Sequence, residues 1–282
     1  MTEMQRTGLH GYLLSNRAFS APAVEQAVRA MDLRGRRHLL DAGTGAGGGL
    51  VALARAAGPD AHVLGVDANP DVLALADEHA KAEGVADRVS TRAADLLDVL
   101  AEAAAGDGAF DAIWASDVIW PGNVPDPAAA VAALAGALAP GGVAGIFTSN
   151  YYQSMFLPGY SRLQNKLRIA SELNWGIPGE GSAHYERHVH WAVAAGLRDV
   201  RVRVFPRIGF PTDEDPAVRA YLETVVWPEL KEAATTRGAD AGMSAAEIEQ
   251  AVGLLTPGGP DYVLDEPGYY VVHPTLLVTG LR

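Results

Sequence analysis

The feature that most constrains this chain is a glycine run that follows directly on a short apolar stretch. Residues Leu39-Leu40-Asp41-Ala42 lead into Gly43-Thr44-Gly45-Ala46-Gly47-Gly48-Gly49, and an Ala/Leu-rich helical pattern begins at Leu50. Glycine adopts positive φ without steric penalty and lets a ligand approach the backbone, while the helix behind it offers free N–H groups. Such a strand–loop–helix needs a parallel sheet around it. The surrounding pattern supplies one: apolar runs near 37–42, 61–66, 89–93, 110–116 and 143–148 alternate with helical stretches near 24–31, 50–57, 69–82, 96–105 and 127–138. Alternation of this kind implies right-handed crossovers and a doubly wound α/β sheet. Asn69 or Asp71 is placed to cap the third of these helices. Asp126 is an N-cap followed by proline at the first helical position.

Beyond residue 150 the rhythm breaks. Residues 151–183 form an irregular insert with one helix expected over 161–173. A helix over 185–195 and a strand over 200–205 follow, and a longer insert spans 206–267. That insert is expected to hold a helix from Pro216, kinked near Pro228, and a second helix opened by Ser244 with Glu247 in a capping box. A β-rich run, 269–280, closes the pattern. One domain is expected over 1–282, with its core at about 24–150, 184–205 and 269–282 and cap inserts at about 151–183 and 206–267.

The glycine loop alone leaves two ligand classes open, because Gly43, Gly45 and Gly48 satisfy the G-x-G-x-x-G spacing of dinucleotide-binding proteins. The carboxylates separate them. Asp41 stands at the first strand end, where it would face a cation rather than a pyrophosphate. Asp67 ends the second strand, placed to accept from both hydroxyls of a ribose. Asp95-Leu96 follows the third, a polar–apolar pair suited to an adenine amine and ring. Net charge is −12, which disfavours nucleic acid and anionic membrane surfaces as partners. With no cysteine, a thiolate nucleophile or Cys-ligated zinc is ruled out. No apolar run approaches a membrane span, and the N-terminus carries no signal-peptide pattern, so a cytoplasmic protein is expected.

Taken together, Asp41-Ala42-Gly43-Thr44-Gly45-Ala46-Gly47, Asp67, Asp95, Phe110-Asp111-Ala112-Ile113 and Leu138-Ala139-Pro140-Gly141-Gly142 come in order and at the proper intervals. On these residues the chain resembles the class I S-adenosylmethionine-dependent methyltransferases of the small-molecule type. The resemblance covers roughly 24–150 and, more loosely, 184–205 and 269–282. It implies a Rossmann-like seven-stranded sheet with an antiparallel last strand, S-adenosyl-L-methionine as cofactor and S-adenosyl-L-homocysteine as product. It further implies that Gly43, Thr44, Gly45 and Gly47 pass against the cofactor with Asp41. Asp67 would hold the ribose, Asp95 the adenine amine, and Leu96 or Ala68 would pack on the ring.

Methyl transfer has no universal catalytic residue, so the acceptor side is read from position. Ser116 and Asp117 leave the fourth strand where such folds place ligands. Asp117 is a candidate for cofactor binding or for a base. Catechol-type relatives hold magnesium with a carboxylate pair, but the second position here reads Ser149-Asn150, and no metal is expected. Tyr151, His184 and His188 are further catalytic candidates, the two histidines four apart and so on one helix face. His10 and Tyr12 lie in an N-terminal segment that folds over the cofactor in this family. Tyr160, Trp175, Phe210, Tyr221, Trp227 and Tyr262 in the inserts are expected to roof a pocket for an apolar or aromatic metabolite, with a homodimer interface as the competing use.

The expected function is methyl transfer to a small-molecule acceptor in biosynthesis, oxygen favoured over nitrogen or carbon. The alternatives are an NAD(P)-dependent oxidoreductase on the same loop, or a non-catalytic cofactor-binding scaffold. The one basic segment, 151–206, has seven basic against four acidic residues and marks a place to expect a negatively charged substrate.

Overall fold

The computed structural model describes residues 3–106, 110–212 and 214–282, with side chains described from residue 8 onward. In chain order the elements are α1 (Glu3–Arg29), β1 (His38–Ala42), α2 (Gly48–Ala57), β2 (His62–Asp67), α3 (Pro70–Ala82), β3 (Val89–Ala93), α4 (Leu96–Ala105), β4 (Phe110–Ser116), α5 (Pro127–Ala137), β5 (Leu138–Thr148), α6 (Ser161–Trp175), α7 (His188–Ala194), β6 (Arg198–Gly209), α8 (Pro216–Tyr221), α9 (Trp227–Arg237), α10 (Ala245–Leu254) and β7 (Val271–Leu281).

The seven strands form one sheet in the order β3-β2-β1-β4-β5-β7-β6. β1 pairs in parallel with both β2 and β4, and β7 runs antiparallel between β5 and β6. This is the doubly wound sheet with an antiparallel last strand that the pattern and the resemblance imply. The chain reverses its direction of winding between β1 and β4, and α/β sheets bind ligands outside the carboxyl ends of strands at that point. Leu39, Ala76 and Leu53 on one face of the sheet, and Leu40, Leu134 and Trp191 on the other, fill two apolar cores. A third core lies away from the sheet, where Phe19 of α1 meets Leu163 and Leu167 of α6, Tyr221, Leu222, Trp227 and Leu254.

Three local features depart from the expected pattern. α1 is far longer than the 24–31 segment, and Phe19 near its middle is fully buried and stacked on Tyr221 at 4.1 Å. β5 begins at Leu138, so Pro140-Gly141-Gly142 is an irregularity inside a strand rather than a turn before it. The register with β4 shifts there, with Gly141 at φ +77°. Near Pro228 the helix does not break. It widens into a π turn over Leu222–Val226, which makes room for a proline ring that would otherwise clash with the carbonyl four residues back. The capping box at Ser244 and Glu247 forms as its spacing predicts.

Candidate functional site

The carboxyl ends of β1 and β2 lie side by side, with Ala42 opposite Val66. The glycine loop is tied to this edge: Gly43 and Thr44 donate their N–H groups to the Val66 carbonyl, and Gly45 donates to Asp67 Oδ2 at 3.0 Å. Arg17 of α1 clamps the loop from the other side through a 2.8 Å bond to the Ala46 carbonyl. Two glycines are sterically obligatory. A Cβ on Gly47 (φ +83°) would fall 2.8 Å from the backbone of Ala76 in α3, and one on Gly49 would fall 2.7 Å from Asp41 Oδ1. Gly47 therefore sets how closely α2 and α3 approach and does not line the cleft.

Beneath this loop opens a cleft of about 810 Å³. Its walls bring together Asp41, Gly43, Thr44, Gly45, Asp67, Ala68, Asp95, Leu96, Ser116 and Asp117, nearly the whole set expected from sequence. Asp41 is buried and accepts from Thr44 Oγ1 at 2.7 Å. Burial pushes its carboxyl up to about 7, against the lowering effect of that hydrogen bond. Asp67 accepts from Gly45 on one oxygen and from Asn69 on the other, so both oxygens are fixed in place. Asp95 caps α4 through the Leu97 N–H and stands more openly at the far end. Among the described residues that line the cleft, the single arginine is Arg17, whose Nη1 is engaged with the loop, against four aspartates.

A second cavity, of about 170 Å³, adjoins the cleft, and Tyr12, Asn16, Asp117, Trp120 and Trp175 line both. Asp117 sits at this junction in a left-handed conformation (φ +51°), its Oδ1 accepting the Ser149 N–H at 2.7 Å. Burial raises its carboxyl above the ordinary range, partly offset by bonds from Ser149 and Thr148. The chamber beyond is walled by aromatic rings, among them Phe147, Tyr151, Tyr152, Tyr185 and Tyr221, together with His188 and Glu229. The Tyr151 hydroxyl is buried beside the Glu229 carboxylate. His188 is buried with Nε2 3.2 Å from the Ile119 carbonyl, and burial lowers its affinity for a proton.

His184 departs from expectation. The helix starts only at His188, because the His184 ring accepts the Glu186 N–H and caps a 3₁₀ turn over Tyr185–Arg187. The two histidines therefore sit on different elements and share no helix face, and His184 does not line the chamber. His10 lines neither cavity, whereas Tyr12 lines both. Of the insert aromatics, Trp175 and Tyr221 line the chamber, Trp227 and Tyr262 belong to the third core, and Phe210 is exposed. The basic segment supplies no cation to the chamber: none of its lysines or arginines lines either cavity. Asn16 and Glu229 are site residues that sequence reasoning missed. α1 carries no amphipathic signal, and an acidic residue on an insert helix reads as solvated.

Residues 39–142 match the methyltransferase domain family. A ubiquinone biosynthesis O-methyltransferase of Xylella fastidiosa is 35% identical over 150 residues, covering 52% of this chain and 56% of its own. The chain spans between a quarter and just over half the length of the curated relatives it matches. Among solved structures, a methyltransferase-like protein from Bacillus halodurans aligns with TM-score 0.52 and 14% identity, over 92% of this chain and 97% of that one. A geranyl diphosphate methyltransferase in complex with SAM aligns with TM-score 0.50 and 16% identity, over 93% and 85%. These likenesses are of fold.

Proposed function

We propose that this chain, whose residues 39–142 match the methyltransferase domain family, is of the class I S-adenosylmethionine-dependent type and that the whole protein transfers a methyl group from S-adenosyl-L-methionine to a small-molecule acceptor, with a hydroxyl oxygen as the favoured nucleophile. The observation that carries this reading is the charge of the cleft. Among the described residues four aspartates face it, and the arginine there, Arg17, is already engaged with the glycine loop. A dinucleotide would bring a pyrophosphate into that field, whereas S-adenosylmethionine brings a sulfonium and an ammonium. Asp67 has both oxygens oriented and lone pairs left for ribose hydroxyls. Asp95, Leu96 and Ala68 line the end suited to an adenine. Asp41 and Asp117 would balance the positive charge.

When bound, the cofactor supplies an electrophilic methyl group and departs as S-adenosylhomocysteine. The chain's own part is alignment and proton transfer. Asp117, at the junction of cleft and chamber, would take the proton of the acceptor hydroxyl as its oxygen forms the new bond to carbon. Burial, which raises its proton affinity above that of an exposed carboxylate, makes it the stronger base. Tyr151 and His188 would position the acceptor, and the aromatic walls would exclude water.

Calorimetry with S-adenosylmethionine, S-adenosylhomocysteine and NADH tests the reading. Binding of the first two in the micromolar range, about −8 kcal/mol at 1 μM, and no binding of NADH is expected. Binding of NADH alone would overturn it.

A further inference from the structure

Taking the chamber as the acceptor site of this methyltransferase, we infer that the acceptor carries a cationic amine seated against Glu229, with aromatic faces around it. The starting point is a charge with no partner. Glu229 of α9 lines the chamber, and Ser171 Oγ and Trp175 Nε1 both donate to its Oε1, the latter at 2.9 Å. Both donors are neutral, as is the Tyr151 hydroxyl beside the same carboxylate, and among the described residues no lysine or arginine forms an ion pair with Glu229 or lines the chamber. Burial and nearby Glu232 both make its ionisation costly in the empty chamber. A carboxylate taken from water without a cation is stabilised by whatever cation arrives.

The walls select the same chemistry. Trp175 and Trp120 meet edge to face at 6.1 Å, and Tyr152 and Tyr185 pack at 5.6 Å, so the chamber presents several π faces within a small volume. A cation over a ring face gains more as it is desolvated. The Tyr185 side chain is more than nine-tenths buried with its hydroxyl beside Gln153, and the Tyr151 hydroxyl lies against Glu229. An ammonium has three N–H donors, and these oxygens and Glu229 are acceptors of the kind it needs.

The basic residues of 151–206 do not oppose this. Lys166 is paired with Glu247, Arg168 lies beside Glu172, and Arg198 and Arg203 donate to main-chain carbonyls. An anionic acceptor would meet Glu229 and Asp117 with no counter-charge. The amine would occupy the Glu229 end and the hydroxyl to be methylated the Asp117 end.

The test uses three probes that share a ring and differ in charge: tyramine, neutral 4-ethylphenol and 3-(4-hydroxyphenyl)propionate. Each is titrated by calorimetry into the full chain saturated with S-adenosylhomocysteine. Tyramine is expected to bind at least tenfold tighter than 4-ethylphenol, with the propionate weakest. Glu229→Gln should weaken tyramine at least tenfold and leave 4-ethylphenol within twofold. That variant keeps an acceptor for Ser171 and Trp175, and unchanged S-adenosylhomocysteine affinity reports that it is folded. If it does not fold, the probe series on the unaltered chain decides alone. Propionate or 4-ethylphenol binding as well as tyramine, no tyramine binding, or equal tyramine binding by a folded Glu229→Gln variant would overturn the inference. Failure of S-adenosylhomocysteine to bind would instead overturn the function on which it rests.

Discussion

The cleft and the chamber share five residues and are built on opposite principles. The cleft is made of backbone: glycine N–H groups, strand ends and short aspartates whose positions follow from the register of β1 and β2. The chamber is made of long side chains from α1, β5, α6, α7, α8, α9 and the segments between, brought together largely by the third core. Backbone sites tolerate almost no change of volume at their glycines, whereas a side-chain chamber can be re-lined while the sheet is kept. The proposed division of labour follows from this: a fixed cofactor on one side, and on the other an acceptor chosen by the inserts.

The largest effect should come from the rigid side. Gly47→Val would place a Cβ against the Ala76 backbone at a positive φ. A loss of about 3 kcal/mol in urea unfolding is expected, from overpacking together with backbone strain. Unchanged stability would show that α2 and α3 are not locked as described.

Asp117→Asn probes the junction. Once an acceptor is in hand, it should lower kcat by about 100-fold, within the range for a lost general base, while S-adenosylhomocysteine affinity changes only a few-fold. A loss confined to cofactor affinity would move Asp117 wholly into the cleft. Asp67→Ala should weaken S-adenosylhomocysteine by more than tenfold, about 1.4 kcal/mol, and leave folding nearly unaffected; calorimetry and thermal melting separate the two.

A smaller, pH-dependent effect belongs to Asp41. Its folded carboxyl titrates at about 7 against an ordinary value of 3.8. Between those values the folded chain holds a proton that the unfolded chain has released, so Asp41's contribution to stability falls as pH rises from about 4 to 7. A cationic ligand favours the ionised form, so S-adenosylmethionine should bind more tightly as pH rises through 7. Asp41→Asn should flatten both trends, read by urea titrations and calorimetry across pH. The smallest effect is expected at Tyr185→Phe, which deletes a buried hydroxyl beside Gln153 and should lower stability by no more than about 1 kcal/mol.

How much of this was legible in the chain depends on the range of the interactions. β3, β4 and α4 fall on the expected residues, because apolar runs and caps such as Asp95 act within a few positions. The aspartates at strand ends were legible for the same reason, since a parallel sheet puts every strand's carboxyl end on one edge. The chamber was not. Tyr12, Asp117, Trp175 and Glu229 are far apart in sequence and meet only through Phe19 on Tyr221 and the π turn before Pro228. Charge counting over 151–206 did not locate the chamber for a related reason: net charge of a segment says nothing about which side chains face inward, and none of its lysines or arginines lines either cavity. His184 misled because spacing of four implies one face only if the helix already covers both residues, and here the cap intervenes.

The most direct test of the central claim, that one ligand lies in the cleft and reaches the chamber at Asp117, is a crystal structure of the chain with S-adenosylhomocysteine. The ribose hydroxyls are predicted on Asp67, the adenine beside Asp95 and Leu96, and the sulfur facing Asp117 and the chamber. Adenine in the chamber, or a sulfur turned away from Asp117, would contradict the account.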